Sequence, residues 1–133
     1  MAYLDWKDEF SVGIDEMDSQ HKRWIEIINE LHEAMRSGQT VKVMSSVLKK
    51  MTDYIVVHFK TEEALLEKNK YPGLEKHKLI HERYAHEIRG FVDNFTNGKV
   101  LVSLDIMDSL KNWLINHIKV NDKEYGAFIA GRK

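Results

Sequence analysis

Two pairs of metal-capable side chains lie four residues apart in the middle of the chain. His58 is followed by Glu62, and His77 is followed by His81. Residues at this spacing lie one above the other on the same face of a helix. The intervening residues 71–73, Tyr-Pro-Gly, have the composition of a hinge. Two antiparallel helices joined there would bring the four side chains together, and imidazole with carboxylate is a donor set suited to a metal ion.

The elements that must position these residues are four amphipathic helices, predicted from apolar residues that recur at steps of three and four. Residues 1–17 are expected to form a non-helical N-terminal arm, and a short C-terminal tail follows residue 122. Short connections favour an all-α, up-down-up-down four-helix bundle. The expected helix starts are Asp18 or Ser19, Thr40 as a cap, Pro72 in a first turn, and Ser103, and the expected ends are Ser37-Gly38, residues 69–73 and Asn97-Gly98.

Each predicted helix carries at least one histidine on its inward face. Taken singly, a histidine and a glutamate four apart are more often a surface ion pair, and a lone core histidine is usually just hydrogen-bonded. Burying a carboxylate among several imidazoles without partners would cost several kcal/mol, which metal coordination would offset. We therefore interpret the whole set as a metal site, formed by His21, His58, Glu62, His77, His81 and His117.

Asp122 is a weaker candidate on spacing alone. It follows His117 by five residues, about 140° around an ideal helix, so a straight helix would not turn both side chains inward. Either the fourth helix bulges, or it ends near Val120-Asn121 and lets the chain turn back. The spacing leaves both alternatives open.

Length, charge and composition narrow the class of protein. A chain of 133 residues predicts a single domain over 1–133. The net charge of −1, with scattered Lys and Arg, argues against binding nucleic acid or an anionic membrane. No secretory leader is visible, and no apolar run approaches the ~20 residues that would insert into a bilayer. The absence of cysteine excludes disulfides and thiolate ligands and fits a cytoplasmic protein.

Four motifs taken together resemble the hemerythrin family. They are residues 18–21 (Asp-Ser-Gln-His), 58–63 (His-Phe-Lys-Thr-Glu-Glu), 77–81 (His-x-x-x-His) and 117–122 (His-Ile-Lys-Val-Asn-Asp). Trp6, residues 11–13 and the tail around Tyr125 resemble the single-domain bacterial branch of that family. The resemblance implies two non-haem iron ions with an oxo or hydroxo bridge. It assigns His77, His81 and His117 to one iron and His21 and His58 to the other, with Glu62 and Asp122 bridging the pair.

The same resemblance implies reversible dioxygen binding, for carriage, storage or delivery to an oxygen-using enzyme. Counting ligands for two octahedral ions leaves one coordination position open, on the iron that has two histidines. A set of five neutral histidines and two carboxylates has fewer anionic donors than the carboxylate-rich sites of ferritin-like di-iron enzymes. This difference favours reversible binding of dioxygen over catalysis. We expect a monomer that is not an enzyme. The expected wall of the oxygen pocket is Trp24, Phe59, Trp113, Leu114 and Ile118.

Two other functions fit the same scaffold. One is a di-iron redox enzyme acting on peroxide or nitric oxide, and the other is a module that senses oxygen or iron. The sensor is less favoured, because only eleven residues follow Asp122 and no signalling domain is apparent. His32 and His86 match no ligand position. His32 is expected at an interior or rim position and His86 in solvent.

Overall fold

The computed structural model describes residues 3–38, 40–99 and 103–131. The described residues form helices and turns without any strand, which confirms the all-α prediction. Only a few residues separate successive long helices, which lie side by side in the predicted four-helix bundle. The helices are α1 (Asp15–Arg36), α2 (Val41–Lys68), α3 (Leu74–Thr96), α4 (Leu104–Asn116) and the short α5 (Lys123–Ala130), and a π-helical turn (His117–Asp122) joins α4 to α5.

Two predicted helix starts, Thr40 as a cap and Ser103, are confirmed. The Thr40 side chain accepts a hydrogen bond from the Val43 N–H at 3.3 Å, and the Ser103 side chain accepts one from the Ile106 N–H at 3.3 Å. Each cap satisfies a backbone donor that the first turn of a helix cannot pair internally. These caps set the starts of α2 and α4.

The predicted start of the first helix was wrong. Helix α1 begins at Asp15, so Asp18 lies inside its first turn rather than at its cap. Asp18 instead accepts hydrogen bonds from the Ser11 hydroxyl at 2.5 Å and the Val12 N–H at 2.9 Å. A side chain suited to capping a helix therefore ties the N-terminal arm to α1. The prediction for Pro72 was also wrong, because α3 begins only at Leu74.

The N-terminal arm is ordered by its contacts with the bundle. Apart from a short 3₁₀ turn at Asp8–Phe10, residues 3–14 are non-helical, as predicted; residues 1–2 lie outside the described part. The arm is shorter than predicted, because residues 15–17 form the first turn of α1. The Leu4 N–H donates a hydrogen bond to Asn29 Oδ1, and the Asn29 amide donates one to the Leu4 carbonyl oxygen, each at 2.8 Å. Val12 lies against α5 so closely that a Cβ on Gly126 would sit 2.2 Å from its carbonyl oxygen. The arm therefore fixes where α5 lies.

The core of the bundle consists of two kinds of layer. Fully buried apolar side chains such as Leu31, Leu48 and Met107 fill the half of the bundle away from the polar cluster. The other half contains buried histidines and carboxylates at positions that apolar residues would otherwise occupy. No helix within the described ranges has both the length and the apolar character needed to cross a membrane.

Candidate metal centre

All seven predicted ligands come together inside the bundle. Helix α1 supplies His21, α2 supplies His58 and Glu62, and α3 supplies His77 and His81; the π-helical turn supplies His117 and Asp122. None of these side chains is more than 3% exposed. The step of four residues places each pair from α2 and α3 on one helix face, as predicted.

The π-helical turn accounts for Asp122. In a π-helix each N–H bonds to the carbonyl five residues earlier, so residues five apart lie one above the other. Asp122 Oδ1 is accordingly 3.2 Å from His117 Nε2. Of the two alternatives left by the sequence, the bulge is the one present.

Glu62 turns its two oxygens towards different groups of histidines. Oε1 is 2.6 Å from His77 Nε2 and 3.0 Å from His81 Nε2. Oε2 is 3.4 Å from His58 Nε2 and 3.7 Å from His21 Nε2. One carboxylate therefore faces a group from α3 with one oxygen and a group from α1 and α2 with the other.

Asp122 repeats the same division from the opposite side. Its Oδ1 is 3.1 Å from His77 Nε2 and 3.2 Å from His117 Nε2, and its Oδ2 is 3.1 Å from His21 Nε2. The five histidines thus fall into a three-histidine group (His77, His81, His117) and a two-histidine group (His21, His58). Both carboxylates lie between the groups.

The donor atoms fit metal ions better than they fit one another. Within the described residues, both nitrogens of His21, Nε2 of His58 and both oxygens of Asp122 are buried without a hydrogen-bond partner. Nε2 of His81 and Nε2 of His117 approach to 3.1 Å, although the Nδ1 atom of each already has an outward acceptor. Two imidazole lone pairs this close repel unless a cation lies between them. Buried polar atoms left in this state are costly, and bound metal ions would satisfy them.

Comparison with known proteins decides the family. The family model for the hemerythrin HHE cation-binding domain matches residues 12–129. The chain belongs to the hemerythrin family. It is 38% identical over 125 residues to a bacteriohemerythrin of Stenotrophomonas maltophilia, covering 94% of this chain and 80% of that protein. It is 32% identical over 131 residues to a bacteriohemerythrin of Methylococcus capsulatus, covering 98% and 99%.

Solved structures agree with this assignment. A crystal structure of wild-type hemerythrin superposes with a TM-score of 0.90 at 31% identity, covering 95% of this chain and 97% of that chain. Hemerythrins bind dioxygen at a non-haem di-iron centre, and the buried histidine and carboxylate cluster here has the composition of such a centre. Membership of the family and the cluster together assign this chain an oxygen-binding function.

Outward hydrogen bonds orient three of the hemerythrin histidines. Nδ1 of His58 donates to Gln20 Oε1 at 2.5 Å, Nδ1 of His81 to Glu63 Oε2 at 2.8 Å, and Nδ1 of His117 to Asn121 Oδ1 at 3.0 Å. Such bonds fix the tautomer and turn the Nε2 lone pair inward, towards the site. Helical spacing does not indicate these three partners. The one available signal was their position beside a ligand or four residues from it.

Tyr125 was also missed. Its hydroxyl is fully buried and donates a hydrogen bond to Glu62 Oε2 at 3.0 Å. Burial, and then the negative charge of Glu62 and Asp122, raise the pKa of Tyr125 far above its usual range, so the hydroxyl remains a donor. The sequence placed this residue only in the C-terminal tail.

Without metal, the carboxylates and imidazoles of the cluster shift one another's pKa values. Burial lowers the pKa of His21 and His77, but the nearby negative carboxylates of Asp122 and Glu62 outweigh it and raise each pKa to about 9. Burial raises the pKa of Glu62, and hydrogen bonds from the imidazoles more than reverse this, so its pKa lies well below the usual range. Burial dominates at His58 and lowers its pKa.

Aromatic rings enclose one side of the cluster. Phe59 stacks on His81 at 3.7 Å between ring centroids, Trp113 stacks on His117 at 4.6 Å, and Trp24 lies edge-on to His58 at 5.7 Å. The remaining predicted wall residues, Leu114 and Ile118, are fully buried. Trp113 is only partly buried, and Tyr84, which the sequence analysis did not single out, stacks on it at 3.6 Å.

The two remaining histidines lie outside the cluster, as predicted. His32 is half-buried and stacks on Tyr3 at 4.1 Å between ring centroids, which confirms its interior or rim position. His86 is exposed on α3. Neither belongs to the groups of side chains that could hold a metal ion.

Proposed function

We propose that this hemerythrin binds dioxygen reversibly at a pair of iron ions and acts in oxygen carriage, storage or delivery. The observation that carries the proposal is the division of both carboxylates between two histidine groups. A carboxylate that presents one oxygen to each of two donor groups is suited to bridging two ions. One ion alone would leave the other group of buried donors without a partner.

This division supports one assignment of the ligands. His77, His81 and His117 would hold one iron, and His21 and His58 would hold the other. Glu62 and Asp122 would bridge the two ions, together with an oxo or hydroxo ion. The histidine nitrogens facing the carboxylates are all Nε2 atoms at 2.6–3.7 Å from a carboxylate oxygen, so the five rings converge on the same small space.

The bound iron pair would supply the redox chemistry that captures dioxygen. The chain supplies a donor set of five neutral imidazoles and two carboxylates, whereas ferritin-like di-iron enzymes use about four carboxylates and two histidines. Fewer anionic donors stabilise oxidised iron less, which favours release of dioxygen over oxidation of a substrate. For this reason we propose a binding protein rather than an enzyme.

The aromatic and aliphatic wall would keep water away from the site. Trp24, Phe59, Leu114 and Ile118 are each at most 4% exposed, and Trp113 closes the wall over His117. Water-excluded surroundings strengthen the electrostatic interactions of the ligands and slow hydrolytic side reactions. We propose that these five residues form the oxygen pocket.

The setting we propose is a single domain over 1–133 that works as a monomer in the cytoplasm. A chain without cysteine is compatible with a reducing compartment. The large exposed apolar side chains of the described segments belong to α2, α3, α4 and the π-helical turn: Val41, Val43, Val57, Leu79, Leu104 and Val120. The partner that receives the oxygen would be an oxygen-using enzyme.

The optical spectrum of the purified protein tests the proposal. The protein is reduced without air, exposed to air and then purged with inert gas, and its iron content is measured alongside. We expect two irons per chain and a charge-transfer band that appears with air and disappears on purging. His81→Ala should lose iron and band together, whereas the exposed control His86→Ala should keep both. Two irons with immediate, irreversible oxidation would favour a redox enzyme or a sensor instead.

A further inference from the structure

The outward partners of the histidines differ in charge. The Nδ1–H of His81 donates to a carboxylate, Glu63, whereas those of His58 and His117 donate to the neutral amide oxygens of Gln20 and Asn121. We infer that Glu63 is a positioning residue that makes the two metal positions unequal, by strengthening His81 as a ligand and so tightening the three-histidine position. This inference rests on the proposed function, because it assumes that the cluster holds two ions.

The chemistry of the hydrogen bond gives the direction of the effect. A hydrogen bond to an ionised acceptor is roughly twice as strong as one between neutral groups. An imidazole whose N–H is drawn towards a carboxylate also gains electron density at its other nitrogen, which makes that nitrogen a better metal ligand. An amide oxygen carries no net charge and has a smaller effect. His81 is therefore the most strongly activated of the three rings.

The surroundings of Glu63 make it specific for His81. Its carboxylate is 2.8 Å from His81 Nδ1 and is only 24% exposed, and this is its only ion pair in the described part of the chain. The face of Phe59 lies parallel to the His81 ring at 3.7 Å and holds it in plane. On the far side of the ring, Nε2 is 3.0 Å from Glu62 Oε1. The His81 ring therefore connects Glu63, at its Nδ1 atom, with the three-histidine position, at its Nε2 atom.

Tyr125 also makes the two metal positions unequal, by weakening the two-histidine position. Its hydroxyl donates to Glu62 Oε2, the oxygen that faces His21 and His58. A donor at this oxygen withdraws electron density from it and weakens it as a ligand for the two-histidine position. The three-histidine position therefore has one more imidazole and the only charged outward partner found among the described residues, while the two-histidine position has the weaker carboxylate oxygen.

Chelator challenge of the iron-loaded protein tests the inference. Loading with iron(II) is done without air, two irons per chain are confirmed by metal analysis, and release to an excess of chelator is followed in time. The parent should release iron in two phases, the first from the two-histidine position. Glu63→Gln keeps a hydrogen-bond acceptor but removes the charge, so it should speed the second phase about tenfold and leave the first unchanged.

Gln20→Glu is the matched variant, because it places the charge behind His58 instead. It should slow the first phase and leave the second unchanged. Glu63→Asp retains the charge and should restore much of the slow second phase, and circular dichroism checks that each variant is folded. The inference is overturned if Glu63→Gln leaves both phases unchanged or speeds both equally, or if Gln20→Glu alters the second phase instead. Fewer than two irons in the parent would overturn the proposed function itself, before any variant is compared.

Discussion

At the scale of single residues, Tyr125 shows how a side chain that binds no metal contributes to a metal site. Its hydroxyl is the one neutral side-chain donor hydrogen-bonded to Glu62 among the described residues. It satisfies a buried carboxylate oxygen that otherwise faces only imidazoles, and it does so from α5, outside the four long helices. Phenylalanine would fill the same space without the donor.

We therefore expect Tyr125→Phe to destabilise the metal-free protein by about 1.5–3 kcal/mol, the usual contribution of a hydrogen bond to a charged group. The measurement is the free energy of unfolding from urea titration. Iron content should remain at two per chain, because the hydroxyl is not a ligand. Tyr71→Phe is the control, since its ring lies edge-on to Tyr125 at 6.4 Å without contacting Glu62. Equal stability of the Tyr125 variant and the parent would show that the hydroxyl makes no net contribution.

Residue chemistry was predictable for the ligands but not for their partners. Histidines and a glutamate at steps of four on inward faces stand out, because apolar residues usually occupy such positions. Gln20, Glu63 and Asn121 are polar residues at half-buried positions, where a polar side chain needs no special explanation. Only the folded geometry shows that each one accepts a hydrogen bond from a ligand.

At the scale of elements, the N-terminal arm packs against α5, the helix that carries Tyr125. Gly126 allows the arm to approach, since a Cβ there would lie 2.2 Å from the Val12 carbonyl oxygen. Backbone atoms cannot move aside as cheaply as the end of a flexible side chain. Asp18 fixes the arm from the other side through Ser11 and Val12.

Gly126→Ala should therefore separate the arm from α5 and cost about 1–3 kcal/mol of unfolding free energy, the usual range for overpacking. Gly90→Ala is a matched control inside α3, where an added Cβ meets nothing within 4 Å. That substitution should stabilise the protein by about 0.5–1 kcal/mol, because alanine is the better helix former. Thermal unfolding of both variants checks the pair. A neutral Gly126→Ala would mean that the arm does not need this close approach.

Element boundaries show where sequence patterns stop being informative. The helix starts at Thr40 and Ser103 were predictable, because the start of a helix depends on a few local residues. The start of α1 was not, because Asp18 satisfies the backbone of the arm, a contact between segments that local preference cannot indicate. The π-helical turn is similar. His117 and Asp122 five apart allow either a bulge or a helix end, and only the folded chain, in which α4 continues through the π-helical turn into α5, shows that the bulge forms.

At the scale of the whole molecule, a buried layer of five imidazoles and two carboxylates makes stability depend on protons and metal. Without metal, His21 and His77 have a pKa of about 9, above the ordinary value of 6.5. Their contribution to stability is complete below pH 6.5 and is lost as the pH rises through 9. Glu62 and Asp122 have lowered pKa values, so their contribution is present above about 4.5 and 3.8 and is lost in acid.

We expect the metal-free protein to lose stability steadily between pH 6.5 and 9. His58, whose pKa is lowered, opposes this only near pH 6.5, because well above that pH it is neutral in both the folded and unfolded states. Bound metal would hold all five imidazoles neutral, so the iron-loaded protein should be far less sensitive to pH there. Iron binding should also release protons and become tighter as the pH rises. Melting temperatures of both forms across the range measure the difference.

Comparing the metal-free and iron-loaded forms distinguishes the pH dependence caused by the buried cluster from that caused by charges elsewhere on the protein. Surface ion pairs such as Lys49–Asp53 are exposed and contribute equally with and without metal. A fall in melting temperature towards pH 9 that appears only in the metal-free form therefore belongs to the buried layer. The exposed variant His86→Gln should reproduce the parent in both forms. If the metal-free melting temperature stays flat from pH 6.5 to 9, then protonated His21 and His77 do not stabilise the empty bundle, and metal-free folding must depend on its apolar layers alone.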